Sequence, residues 1–166
     1  MVIAKVIRKV SDLVNNLCSA LCIMTIVAMV LVTGMQIFCR VFFTALSWSE
    51  EVTRYLLVWS TFIGCGIVYK NAGHISVTMM RDHCPPKIVT ILKIVTHLIC
   101  AAFCTIAVYY GFKYMAMQGK QLSAALRIPM RYMYMAIPVG CFVIDLHILD
   151  AIIQLTTKIN GEVSKT

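Results

Sequence analysis

The sequence predicts an all-α integral membrane protein: four long, tilted transmembrane helices and a short interfacial amphipathic helix between the second and third. The first observation behind this is the run from Leu13 to Cys39, twenty-seven residues without one Asp, Glu, Lys, Arg or His. A helix rises about 1.5 Å per residue and the hydrocarbon core is about 30 Å thick, so the run is long enough to cross it. The second is that three similar runs follow within 166 residues, leaving almost nothing for a soluble domain. The third is composition. Apolar residues make up 60% of the chain and charged residues 13%, against about half and about a quarter in soluble proteins.

A net charge of +8 would point to nucleic acid in a soluble protein. Here Lys and Arg sit mostly between apolar runs, where membrane lipids and topology account for them. Nucleic acid is therefore excluded as a partner. Eleven Met and eight Cys are readily absorbed by membrane helices.

Residues 1–166 read as one membrane domain with spans at about 13–39, 52–69, 88–117 and 132–157. The first run is too long in its apolar part for a cleaved signal peptide, and no small-residue cleavage motif follows it. Short connections make sequential helices antiparallel neighbours, as in an up-down bundle. Runs longer than the membrane is thick imply tilt. No internal repeat stands out, so the architecture of an autonomous inverted-repeat transporter is not visible. In the segment 71–87, Ile75, Met79 and Met80 share one helical face, with His74, Arg81, Asp82 and His83 elsewhere, before Pro85-Pro86 stops the pattern. It can lie in the interface plane or form a polar loop.

Orientation follows from the basic residues. Lys5, Arg8, Lys9, Lys70, Arg81, Lys87, Lys93, Lys158 and Lys165 fall on one side, nine in all, against six on the other: Arg40, Arg54, Lys113, Lys120, Arg127 and Arg131. The positive-inside rule then places both termini in the cytoplasm.

The first connection, from Leu46 to Glu51, carries several polar groups. Ser47 and Glu50 have capping-box spacing, and Glu50 and Arg54 are four apart on a helix and can pair. Trp48 is placed to anchor in the headgroup layer. The motif reads either as a well-made helix start or as a docking site, because Arg54 lies about one turn inside and needs an acceptor.

Ionisable groups inside a membrane normally pair, face a protein interior or serve function. Lys93 and Asp150 fall at similar depth on antiparallel helices, so an ion pair is expected. Asp145 lies nearer the middle, with His97 the one internal candidate; otherwise a partner chain supplies its counter-charge. His97 and His147 also fall at similar depth and could ligate a b-type haem, although pairing with Asp145 or backbone explains them as well. Cys18/Cys22 and Cys100/Cys104 are spaced i,i+4 with no CxxC pair, so no metal site is indicated. Ser60-x-x-x-Gly64 permits close helix approach. No nucleophile-base set or phosphate-binding glycine loop appears, so the chain is not read as an enzyme.

The stretch from Leu46 through Ser47-Trp48-Ser49-Glu50-Glu51, Arg54-Tyr55 and Trp59 to Gly64, continuing over 70–77, resembles the small Q (DctQ-like) membrane subunit of tripartite ATP-independent periplasmic (TRAP) transporters. A second match is Leu126-Arg127-Ile128-Pro129, followed by Tyr134 and Ile137-Pro138-Val139-Gly140. Arg127 stands where the family is usually more apolar.

The resemblance implies a scaffold in the bacterial inner membrane, bound to a large M subunit that carries the substrate and sodium sites. A periplasmic binding protein would deliver an organic acid such as a dicarboxylate, sialic acid or sugar acid. No cofactor is expected on this chain. The candidate partner-facing residues are Trp48, Glu50, Glu51, Arg54, Trp59 and Asp145, with Lys93 and Asp150 as a structural pair. The alternatives are a bis-His haem-b anchor of an electron-transfer complex and a small autonomous exporter or channel.

Overall fold

The computed structural model describes residues 2–72 and 86–163, with side chains over 5–71 and 88–157. It contains α1 (Val2–Phe42), α2 (Ser47–Ala72), α3 (Pro86–Met117), the single turn α4 (Arg131–Tyr134) and α5 (Ala136–Val163). Four stretches are long and apolar enough to cross a membrane: Lys5–Phe42, Ser47–Asn71, Ile88–Met117 and Arg131–Thr157. Of the expected interfacial segment 71–87, residues 71–72 belong to the end of α2 and 86–87 to the start of α3, and 73–85 lie outside the described residues.

The helices outrun their apolar cores. α1 continues through Lys5, Arg8, Lys9 and Asp12, because a helix end that reaches water tolerates charge. Its 41 residues span about 60 Å, twice the hydrocarbon thickness. α3 opens with Pro86 at its first position, where a missing N–H costs nothing and the proline φ already suits a helix. The last span is broken at Met135, between α4 and α5. Pro138 explains the break: it has no N–H for the carbonyl of Tyr134, and its ring would strike that carbonyl in a continuous helix.

The helices are arranged as an open row. The main contacts run α1 to α2, α2 to α5 and α5 to α3, with a smaller contact of α1 on α5. α5 is therefore central. Of its span's most apolar stretch 39% is buried, against 6% for α1 and α3 and 11% for α2. Ile148, Ala136 and Pro138 of α5 are fully buried. α1 and α3 expose large apolar side chains along their length, among them Leu13, Leu17, Leu31, Leu98 and Phe103.

Close approach of backbones builds this row, as expected where lipid removes the usual hydrophobic drive between helices. A Cβ on Gly140 would lie 2.7 Å from Phe62 Cβ and 3.0 Å from Phe62 O. The Ser60-x-x-x-Gly64 pair does not serve this seam. Ser60 and Gly64 face α1, where Cys22 Sγ–H donates to Ser60 O at 3.8 Å and a Cβ on Gly64 would meet only Cys22 Sγ at 3.9 Å.

Candidate functional site

Polar side chains gather at the two ends of the row. At one end, α2 begins at Ser47, so Ser47 is already helical and the anticipated Ser47–Glu50 capping box is one residue out of register. Ser49 Oγ instead donates to Leu46 O at 2.7 Å. Glu50 accepts from Gln36 Nε2 of α1 at 3.3 Å, so it ties α1 to α2 and does not pair with Arg54.

Glu51 is the hub of this end. Its Oε2 accepts the consecutive backbone N–H groups of Ala125 (3.1 Å) and Leu126 (2.8 Å), and its Oε1 accepts from Tyr55 Oη at 2.9 Å. Tyr55 Oη also lies 3.3 Å from Met130 Sδ; with one hydroxyl proton, the carboxylate is the stronger acceptor.

The loop held by Glu51 has its own internal order. Met130 N donates to Gln121 O at 2.8 Å and Ser123 N to Ile128 O at 2.9 Å, with a bridge between Leu122 and Pro129. The chain reverses at Arg127, whose φ of 53° lies in the left-handed region, uncommon for a residue other than glycine. Ser123 Oγ steadies the return by accepting from Ile128 N at 3.3 Å.

The partner-facing candidates therefore separate. Glu51 is hydrogen-bonded within its own chain. Trp59 is half-buried, whereas Trp48 and Arg54 are exposed. Arg54 makes no hydrogen bond or ion pair with the described residues. Asp145 faces α3: its Oδ2 accepts from Thr105 Oγ1 at 3.5 Å, and its Oδ1 is buried without a hydrogen-bond partner.

At the other end, a cavity of about 320 Å³ opens between the start of α1, the end of α2, the start of α3 and the second half of α5. That meeting of alternate helix ends shows the antiparallel order directly. Lys70 Nζ pairs with Asp12 Oδ1 at 2.6 Å. His97 Nδ1 is hydrogen-bonded with Tyr69 Oη, not with Asp145. His147, 3% exposed, lies with Nδ1 2.9 Å from Ser11 Oγ, and its Nε2 has no partner. Lys93 and Asp150 line the same cavity. The hydrogen bond Asp150 makes is with Gln154, which donates from Nε2 at 3.0 Å.

Ser11, Gln36, Tyr69, Thr105 and the 125–126 amides escaped the sequence reading. Ser11 and His147 are 136 positions apart, and no local spacing encodes such a pairing. Among the described residues no group of three or more His, Cys, Asp or Glu could hold a metal ion, and the seven described cysteines are free.

Four spanning helices joined by these contacts define a multi-pass membrane protein. Residues 29–158 match the family described as tripartite ATP-independent periplasmic transporters, DctQ component. The chain belongs to that family, a transporter component.

A sialic acid TRAP transporter small permease protein of Vibrio cholerae is 26% identical over 160 residues, covering 95% of this chain and 90% of that protein. A Haemophilus influenzae protein assigned as a TRAP transporter small permease is 29% identical over 98 residues. That match covers 58% of this chain and 61% of the relative's length. An isethionate TRAP transporter permease protein DctMQ of Oleidesulfovibrio alaskensis is 24% identical over 95 residues, 56% of this chain and 15% of that protein. The haem alternative finds no support in this family.

Proposed function

We propose that this chain is the small membrane subunit of a sodium-coupled, binding-protein-dependent secondary transporter for an organic acid, and that it acts as the scaffold for the large transport subunit. The observation that carries the reading is the family match over 29–158. The much longer DctMQ relative supports it, since this chain covers only 15% of that protein.

The open row of helices fits the role. α1 and α3, at the two edges of the row, carry broad apolar surfaces, and a large helical partner can cover one of them. Sodium and substrate sites belong to that partner, and a periplasmic binding protein delivers the ligand. The complex sits in the bacterial inner membrane, with both termini of this chain cytoplasmic. The chain itself is not an enzyme.

Reconstitution tests the proposal. The purified chain alone in liposomes is expected to move no organic acid, whereas the chain with its large subunit and binding protein supports sodium-dependent uptake. Sodium-driven uptake by this chain alone would overturn the scaffold reading.

A further inference from the structure

At the end of the row where α3 stops, a groove of about 450 Å³ runs along α3 beside the start of α5. Its walls are apolar and aromatic: Ala107, Tyr110, Tyr114 and Met117 of α3, with Ile137 of α5. Gly111 lies in it and lets α3 close on α5, since a Cβ there would sit 3.1 Å from Pro138 Cδ. Tyr114 is held in place: its ring stands edge-on to that of Tyr134 at 4.8 Å, and its hydroxyl accepts from Gln118 Nε2 at 3.4 Å. Tyr110, Tyr114 and Met117 are exposed. Among the described residues that line the groove, Lys113 alone is charged. It is exposed and makes no hydrogen bond or ion pair with the described residues.

We propose that this groove seats one acyl chain of an anionic glycerophospholipid, with the phosphodiester on Lys113. From Ala107 to Met117 the groove follows α3 for about 15 Å, half the hydrocarbon thickness, so it has the length of one leaflet. Lys113 lies about one turn before the end of α3 at Met117. A lysine there lays its aliphatic stem along apolar surface and carries its ammonium up to the headgroups. With no carboxylate among the described lining residues to neutralise it, that ammonium is open to a phosphate oxygen.

Size argues for an acyl chain over a partner helix. A helix about 10–12 Å across fills about 120–170 Å³ per residue, so the groove would hold little more than one turn of it. The lining argues against a soluble phosphate ester, which would find one ammonium and otherwise apolar wall. The edge at α1 lacks the same pairing of groove and cation: from Leu13 to Cys39 it carries no Lys or Arg, and residues such as Leu17 and Leu31 simply face lipid. The inference rests on the membrane fold and not on the transport reading.

The test is native mass spectrometry of the full-length purified chain in detergent doped with phosphatidylglycerol or with diacylglycerol of the same acyl chains. One phosphatidylglycerol is expected to be retained, about fivefold over diacylglycerol. Lys113→Gln should remove that preference while the chain stays monodisperse, whereas Lys120→Gln, the same charge change outside the groove, should leave it intact. Phosphatidylglycerol with a diazirine in its acyl chain should, on illumination, label residues 107–117 and Ile137. Ala107→Trp, which fills the groove, should abolish that labelling. Equal retention of the two lipids, or equal losses from Lys113→Gln and Lys120→Gln, would mean only general attraction to the surface and would overturn the proposal. Label spread evenly over α1 and α3, or unchanged in Ala107→Trp, would show an ordinary lipid annulus and overturn the groove assignment.

Discussion

Glu51 and Arg54 stand less than one turn apart on α2, yet their environments differ. The Glu51 carboxylate accepts three hydrogen bonds from its own chain, two of them from the backbone of the loop before α4. Hydrogen bonds to a charged group are stronger than neutral ones but weakened where water competes. Glu51→Ala is expected to lower the thermal midpoint and to loosen the loop. Because Arg127 is exposed on that loop, limited trypsin digestion after Arg127 should be faster in Glu51→Ala than in the parent. An unchanged cleavage rate would show that the loop holds itself.

Arg54 gives the opposite expectation. It is exposed and has no partner among the described residues, so Arg54→Ala should change thermal stability by no more than about 0.5 kcal/mol. Under the scaffold reading it weakens co-purification with the large subunit, measured against the amount of this chain in the membrane. Full co-purification and normal uptake would remove Arg54 from the interface.

Between elements, the α2–α5 seam depends on the absence of a side chain at Gly140. An added methyl would meet Phe62 Cβ at 2.7 Å and its backbone oxygen at 3.0 Å, and backbone cannot swing aside as a flexible side chain can. Overpacking of this kind costs about 1–3 kcal/mol. Gly140→Ala is therefore expected to lower the thermal midpoint clearly. Gly64→Ala, with 3.9 Å to Cys22 Sγ, should be tolerated. Equal effects of the two would contradict the assignment of the tight seam. Pro138 works at the same scale: it is fully buried, and its ring accounts for the interruption at Met135.

Across the whole molecule, the charge bias and the helix order make a joint prediction. A reporter fused after Thr166 should be active only in the cytoplasm, and one inserted near Ser47 only in the periplasm. Termini on opposite sides would sink the four-span topology, and the reverse pattern would show that the basic residues flanking the loop 118–130 outweigh the nine on the other side.

What the sequence determined alone is the membrane class and the number of spans. Both follow from uninterrupted apolar length, a local property that burial in lipid leaves few ways to satisfy. The stretch from Leu46 to Gly64 also carried the family by its residues. Pairings across the row were not legible. Spacing offered Glu50 a partner at Arg54, while Glu50 accepts from Gln36 and His147 lies against Ser11. An i,i+4 rule sees only one helix face. Which residues of different helices meet is decided by where backbones come closest, and that depends on Gly140 against α2, on Pro138 breaking the last span, and on α5 taking the centre of the row.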